Sequence, residues 1–215
     1  MFVSVLGIDP GLTRCGYGIV KYDEKRIVEL EKAGILSTSP QEAISSRLAE
    51  IHHDLTQIIN ESKPDFIAVE RVLFKANVST AMSVSQVNGL VHSLAASYSI
   101  PITEFSPTEV KNAITGHGRA DKKAVQEMVM KLLRLTKIPQ PADAADAIAI
   151  ALTCAYQSMM KNGSTDSDNA TYNGANLHNA IANAIVNQVK TPDEQTIIRE
   201  SQKRILSRRR SGLSR

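Results

Sequence analysis

The chain opens with Val3-Ser4-Val5-Leu6-Gly7-Ile8, apolar and β-branched but without clean alternation. That pattern predicts a strand over residues 3–9 buried on both faces. YGIVKYDEKRIVELEKAGILST, residues 17–38, reads as two more strands with a turn near Asp23-Glu24-Lys25, an antiparallel meander. In QEAISSRLAEIHHDLTQIINESK, Ile44, Leu48, Ile51, Leu55 and Ile58 recur at helical spacing and predict an amphipathic helix. Pro64 then breaks the chain before DFIAVE, a short buried strand that ends in Glu70. A second long helix is expected from Asn77 to Ser99, and a further strand at PITEF, residues 101–105. Smaller helices follow from Pro107 and Ala120, and PADAADAIAIALTCAYQSMMK closes the body as a helix. The order of elements predicts an α/β fold: a mixed sheet whose β-meander leads into parallel crossover units.

The polarity of one element breaks the usual rule. NVSTAMSVSQVNGLVHSLAASYS, residues 77–99, contains no Asp, Glu, Lys or Arg. A helix packed on a sheet ordinarily shows one charged face to water. This one is expected to be covered twice, by its own sheet and by a second copy of the chain. The alternative is a helix wedged between two elements of one domain.

Beyond Lys161 the pattern dissolves into NGSTDSDNATYNGANLHN, polar and rich in Asn, Ser and Gly. The expected organisation is a folded body over 1–160, a flexible polar linker over 161–196 and a basic tail over 197–215. The formal charge is +3, and residues 199–215 hold seven basic residues against one acid. A near-neutral body with such a tail suggests a polyanionic partner. With 42% hydrophobic and 22% charged residues the composition is that of a globular protein. No stretch is long and apolar enough to span a bilayer, and no basic-then-apolar leader precedes Asp9. Cys15 and Cys154 form no metal-spaced pair, so a reducing, cytoplasmic setting is expected.

Four acids stand beside apolar elements: Asp9 and Glu70 at strand ends, Asp143 and Asp146 three apart on the last helix. Each alone has a modest reading, a turn residue in Asp-Pro-Gly or a helix cap at Asp143. Together they imply more. If the two strands are parallel neighbours, their acids emerge at one sheet edge, where the helix can add its own pair. Crowded, buried carboxylates need cations, and oxygen ligands select hard ones, Mg²⁺ with Mn²⁺ as a substitute. Two ions there suit in-line phosphodiester hydrolysis. Gly7 and Gly11 are expected to let the backbone recede for a phosphate. Arg119, Lys122 and Lys123 follow the turn TGHG and are placed to meet phosphates. His52, His53, His92 and His178 have no ligand-spaced carboxylate or cysteine in sequence, and His117, in the same turn, offers at most a minor phosphate contact.

LGIDPGLTRCGYG, IAVERVLFKANVSTAMSVSQVNG, PTEVKNAITGHGRADKKAVQEMV and PADAADAIAIALT resemble, in order and spacing, the RuvC-type crossover junction endodeoxyribonucleases. The resemblance covers roughly residues 3 to 157. It implies an RNase H-like fold, a homodimer through helix 77–99, and Mg²⁺-dependent paired nicking of four-way (Holliday) DNA junctions. A RuvA–RuvB branch-migration complex is the implied partner. By position, Asp9, Glu70, Asp143 and Asp146 match the family's catalytic acids, and Lys111 and Lys122 its basic residues near the scissile phosphate. The family's aromatic residue three positions after the strand glutamate is Leu73 here, with Phe74 next, so the base-stacking contact falls to one of these two. Two other readings use the same residues: an RNase H-like nuclease on another branched or hybrid nucleic acid, and a non-catalytic junction-binding subunit. An actin-like or sugar-kinase fold would need a second Gly-rich phosphate turn and a longer chain, and neither is visible.

Overall fold

The computed structural model describes residues 2–72 and 78–161. Strands β1 (Val3–Asp9), β2 (Arg14–Tyr22) and β3 (Val28–Ser37) form the antiparallel meander. Helix α1 (Ile44–Ser62) leads to β4 (Phe66–Glu70), and α2 (Val78–Ser97) leads to β5 (Ile102–Phe105). Helices α3 (Pro107–Thr115), α4 (Lys122–Leu132) and α5 (Ala142–Lys161) complete the described body. The sheet order is β3-β2-β1-β4-β5, with β4 parallel to both β1 and β5. This is the expected mixed sheet, and its central strand is the first one in the chain.

Helix boundaries follow local chemistry. Lys63 adopts φ 44° and caps α1 through its N–H to the Ile59 carbonyl, directly before Pro64. Ser106 and Glu109 form a reciprocal capping box around Pro107 at the start of α3. Asp121 accepts from the Ala124 N–H, so α4 begins at Lys122 rather than at the expected Ala120.

Strand parity divides the core in two. Leu6, Ile8, Ile67 and Val69 face α1 and α2, packing with Ile51, Leu55, Ile58, Val87, Val91 and Leu94. Val5, Val20, Ala68 and Phe105 face the other way, against Val110, Ile114, Val129, Ile148 and Leu152 of α3, α4 and α5. The central strand is therefore buried on both faces, as its poor alternation implied. In α1 the expected stripe holds from half-buried Leu48 through Ile51, Leu55 and Ile58, whereas Ile44, in the helix's first turn, is 49% exposed.

Helix α2 shows two unlike sides. Val87, Asn88, Val91, Leu94 and Ala95 are buried, whereas Met82, Gln86, Gly89, Ser93 and Ala96 form an exposed, uncharged stripe. A Cβ at Gly89 would meet nothing. Among the described residues nothing covers this stripe. Both cysteines are buried, and among the described residues they form no disulfide. Among the described residues no helix is long and apolar enough to cross a membrane.

Candidate active site

Parity decides where the strand acids point. In β1, Val5 belongs to the α5 side of the core, so Gly7 and Asp9 share that face. In β4, Ala68 lies on the same side, which puts Glu70 there too. The parallel register pairs Gly7 with Ala68 and Ile8 with Val69, leaving Asp9 and Glu70 level at the carboxyl end of the two strands.

Helix α5 brings the other two acids, and glycine lets it come close. A Cβ on Gly7 would collide with the Ala147 carbonyl and the Ala151 amide; one on Gly16 would collide with the Asp143 carbonyl. Gly7 pairs with Gly18 and Asp9 with Gly16 across the β1–β2 ladder, so the bare strip runs beneath the helix. Gly7 thus serves helix docking rather than a phosphate. Gly11 faces the carbonyl of Arg14 in its own turn, so the expectation that both glycines make room for substrate is not met. The result is a close cluster: carboxylate oxygens of Asp9, Asp143 and Asp146 lie within 4.8 Å of one another. Glu70 stands beside this trio rather than within it.

The electrostatics show a site short of positive charge. Burial, then the charges of Glu70, Asp146 and Asp143, raise Asp9 from 3.8 to about 7, with Lys122 pulling it down. Burial and the Asp146 charge raise Glu70, opposed by Lys122 and Lys111. Asp146 is also raised, chiefly by burial, despite the Lys122 ammonium that donates to it at 2.6 Å. That contact in turn raises Lys122. Arg14 Nε donates to Asp143 Oδ2, also at 2.6 Å. A cleft of about 200 Å³ opens beside the acids, lined by Glu70, Asp146, Lys111 and Lys122 over Val110, Val125 and Ile150. Three converging carboxylates with no nitrogen or sulfur donor, two of them raised by burial, fit a hard divalent cation.

The expected basic residues divide. Lys111 and Lys122 reach the cleft. Lys123 does not; its side chain is 79% exposed and pairs along its own helix with Glu127 at 3.9 Å. Arg119 is exposed in the turn before α4. Leu73 and Phe74 lie outside the described residues, as do the linker beyond residue 161 and the 197–215 tail.

Three contributors escaped sequence reasoning. Arg14 shares strand face with Gly16 and Gly18, a parity that would have pointed it at the acids. Buried Arg47 of α1 donates to Thr38 Oγ1 at 2.9 Å and Thr13 Oγ1 at 2.7 Å, while Thr38 Oγ1 donates to the Leu12 carbonyl at 2.6 Å. These bonds clamp the turn that follows Asp9. Buried Asn88 of α2 donates to the Glu70 carbonyl at 3.1 Å. No local sequence signal marks Arg47 or Asn88, because their partners are distant in the chain. His92 likewise meets Glu104 at 3.1 Å, on the opposite face of the sheet from the acids.

A family model described as crossover junction endodeoxyribonuclease RuvC matches residues 5–154. The crossover junction endodeoxyribonuclease RuvC of Paenarthrobacter aurescens (strain TC1) is 45% identical over 157 residues, covering 73% of this chain and 83% of that protein. The structure of T. thermophilus RuvC in complex with Holliday junction substrate is 35% identical, with a TM-score of 0.69 over 74% of this chain and 96% of that one. The yeast mitochondrial Holliday junction resolvase, 17% identical with a TM-score of 0.55, shares the fold.

Proposed function

The chain belongs to the RuvC family of crossover junction endodeoxyribonucleases, and from that premise we propose that it resolves four-way DNA junctions by metal-dependent hydrolysis at the carboxylate cluster. The observation that carries this reading is the convergence of Asp9, Asp143 and Asp146 within 4.8 Å. A surface acid cluster would be hydrated; this one is partly buried and under-neutralised, so it is built to attract cations.

Asp9, Asp143 and Asp146, with Glu70 beside them, are the residues that would hold Mg²⁺, two ions per site, with Mn²⁺ as a substitute. Bound there, such ions supply an activated water and charge neutralisation at the leaving oxygen. The protein's own part is positional. Lys111 and Lys122 present ammonium groups at the cleft mouth, where a phosphate's non-bridging oxygens would lie. The apolar floor of Val110, Val125 and Ile150 gives the sugar a dry wall. Arg119 and Lys123 extend the positive surface along the neighbouring strand, and Leu73 or Phe74 meets the junction bases.

Paired nicking needs two sites, and the uncharged outer stripe of α2 supports a homodimer through helix 77–99. The same family reading includes a cytoplasmic setting and a RuvA–RuvB branch-migration partner. It also divides the chain into a nuclease domain over 1–160, a linker over 161–196 and a tail over 197–215 that adds sequence-independent affinity. The test is incubation with labelled four-way, three-way and linear duplexes, with and without Mg²⁺. Symmetric cuts confined to the four-way substrate and to Mg²⁺ are expected. Equal cutting of linear duplex, or cutting in chelator, refutes the reading.

A further inference from the structure

Among the described residues, two cations sit on the acid cluster. Lys122 occupies Asp146 on one flank, and Arg14 occupies Asp143 on the other, each at 2.6 Å. Lys122 was foreseeable; Arg14 was not. Its side chain is half exposed at 50%, while that of Asp143 is 27% exposed. An ion pair this open contributes little to stability, so a structural role explains it poorly. The location is more telling. Arg14 starts β2 two residues before Gly16, which pairs with Asp9, so it projects from the acids' own face just beyond the sheet edge. The turn that delivers it is fixed by buried Arg47 through Thr13 and Thr38. A fixed backbone carrying a loosely held guanidinium is an arrangement for handing that group to a second partner.

The chemistry of the second partner follows from the fork of donors. Carboxylate and phosphodiester oxygens are bound by the same planar geometry, and a guanidinium keeps its charge at every relevant pH. A divalent cation on Asp143 weakens the hold of Arg14, because it neutralises the carboxylate charge that attracts the guanidinium and draws on the same two oxygens. Displaced, Arg14 has solvent on its free side, since its side chain is already half exposed while paired. We propose that Arg14 is a DNA-contacting residue of the active site, held on Asp143 in the metal-free chain and transferred to a backbone phosphate when a divalent cation takes that carboxylate. This rests on the reading of the acid cluster as a divalent-ion site. It couples metal loading to strand capture: the ion frees the group that grips the DNA.

Two measurements on wild type, Arg14→Gln and Arg14→Lys test it. Calorimetric titration of Mn²⁺ into the DNA-free protein reads the competition. Arg14→Gln is expected to tighten the ion about three- to ten-fold, because no guanidinium has to leave. Junction affinity against salt, with Ca²⁺ in place of Mg²⁺ to slow hydrolysis, reads the phosphate contact. The log–log slope of Arg14→Gln is expected to be shallower by about 0.9, one phosphate contact, with Arg14→Lys close to wild type. Unchanged Mn²⁺ affinity in Arg14→Gln overturns the competition, and a wild-type salt slope overturns the DNA contact; either result ends the proposal. Should wild type itself take up no Mn²⁺, the divalent-ion reading of the cluster fails first, and this inference falls with it. Wild type and both variants should share one circular dichroism spectrum, since the exchanged side chain is half exposed.

Discussion

Asp9 is held against its own preference. The unfolded chain gives up its proton near 3.8, whereas the folded, metal-free chain keeps it to about 7. Between those values the folded state binds more protons, so stability falls as pH rises through that window and stays low above it. Replacing the carboxylate should recover the loss. In chelator at about pH 8, Asp9→Asn is expected to melt about 5 °C or more above wild type, the gap closing toward about pH 4. Equal melting temperatures at the higher pH would mean that the cluster is not under strain. The same proton opposes cation binding, so affinity for Mn²⁺ should weaken as pH falls through about 7, when Asp9 is protonated. A flat affinity between about pH 6 and pH 8 would contradict that. At this scale the acids were legible, because a charge ending an apolar strand is visible in the chain itself. Arg47 and Asn88 were not, since each is defined by a partner brought near only by folding.

The elements explain why the acids meet. Helix α5 crosses β1 and β2 on a strip without side chains, and Gly7 carries the approach on β1. Gly7→Ala places a methyl into the Ala147 carbonyl, and forcing the helix outward is expected to cost about 1–3 kcal/mol, read as an earlier urea midpoint. A smaller, functional effect is expected on the other face of the sheet. Asn88→Ala frees the Glu70 carbonyl, costing about 1 kcal/mol of stability and, through a looser Glu70, about ten-fold in cleavage rate. An unaltered rate would show that β4 holds Glu70 unaided. Element types and order were readable from periodicity, because the strands are bounded by turns and α1, α3 and α4 by capping chemistry. The role of Gly7 was misread. A glycine beside an acid suggests room for substrate, and only the register and the path of α5 reveal which neighbour fills it.

For the whole molecule the open question is what covers α2. Its outer stripe, from Met82 to Ala96, has no charge to hold water and no cover among the described residues. Ser93→Arg, on that exposed stripe, is expected to halve the mass in solution from dimer to monomer and to abolish paired cuts while leaving the fold intact. A wild-type chain that is monomeric and fully active would remove the dimer. Whether Asp9, Asp143 and Asp146, with Glu70 beside them, cut a junction strand through a divalent ion is tested by single-turnover cleavage of a labelled four-way junction in Mg²⁺. Wild type and Asp9→Asn are compared, with binding measured in the same samples. The expected result is junction affinity within about two-fold and cleavage slower by about a thousand-fold or more, the scale of losing metal stabilisation of the transition state. Cleavage by Asp9→Asn at the wild-type rate would contradict it.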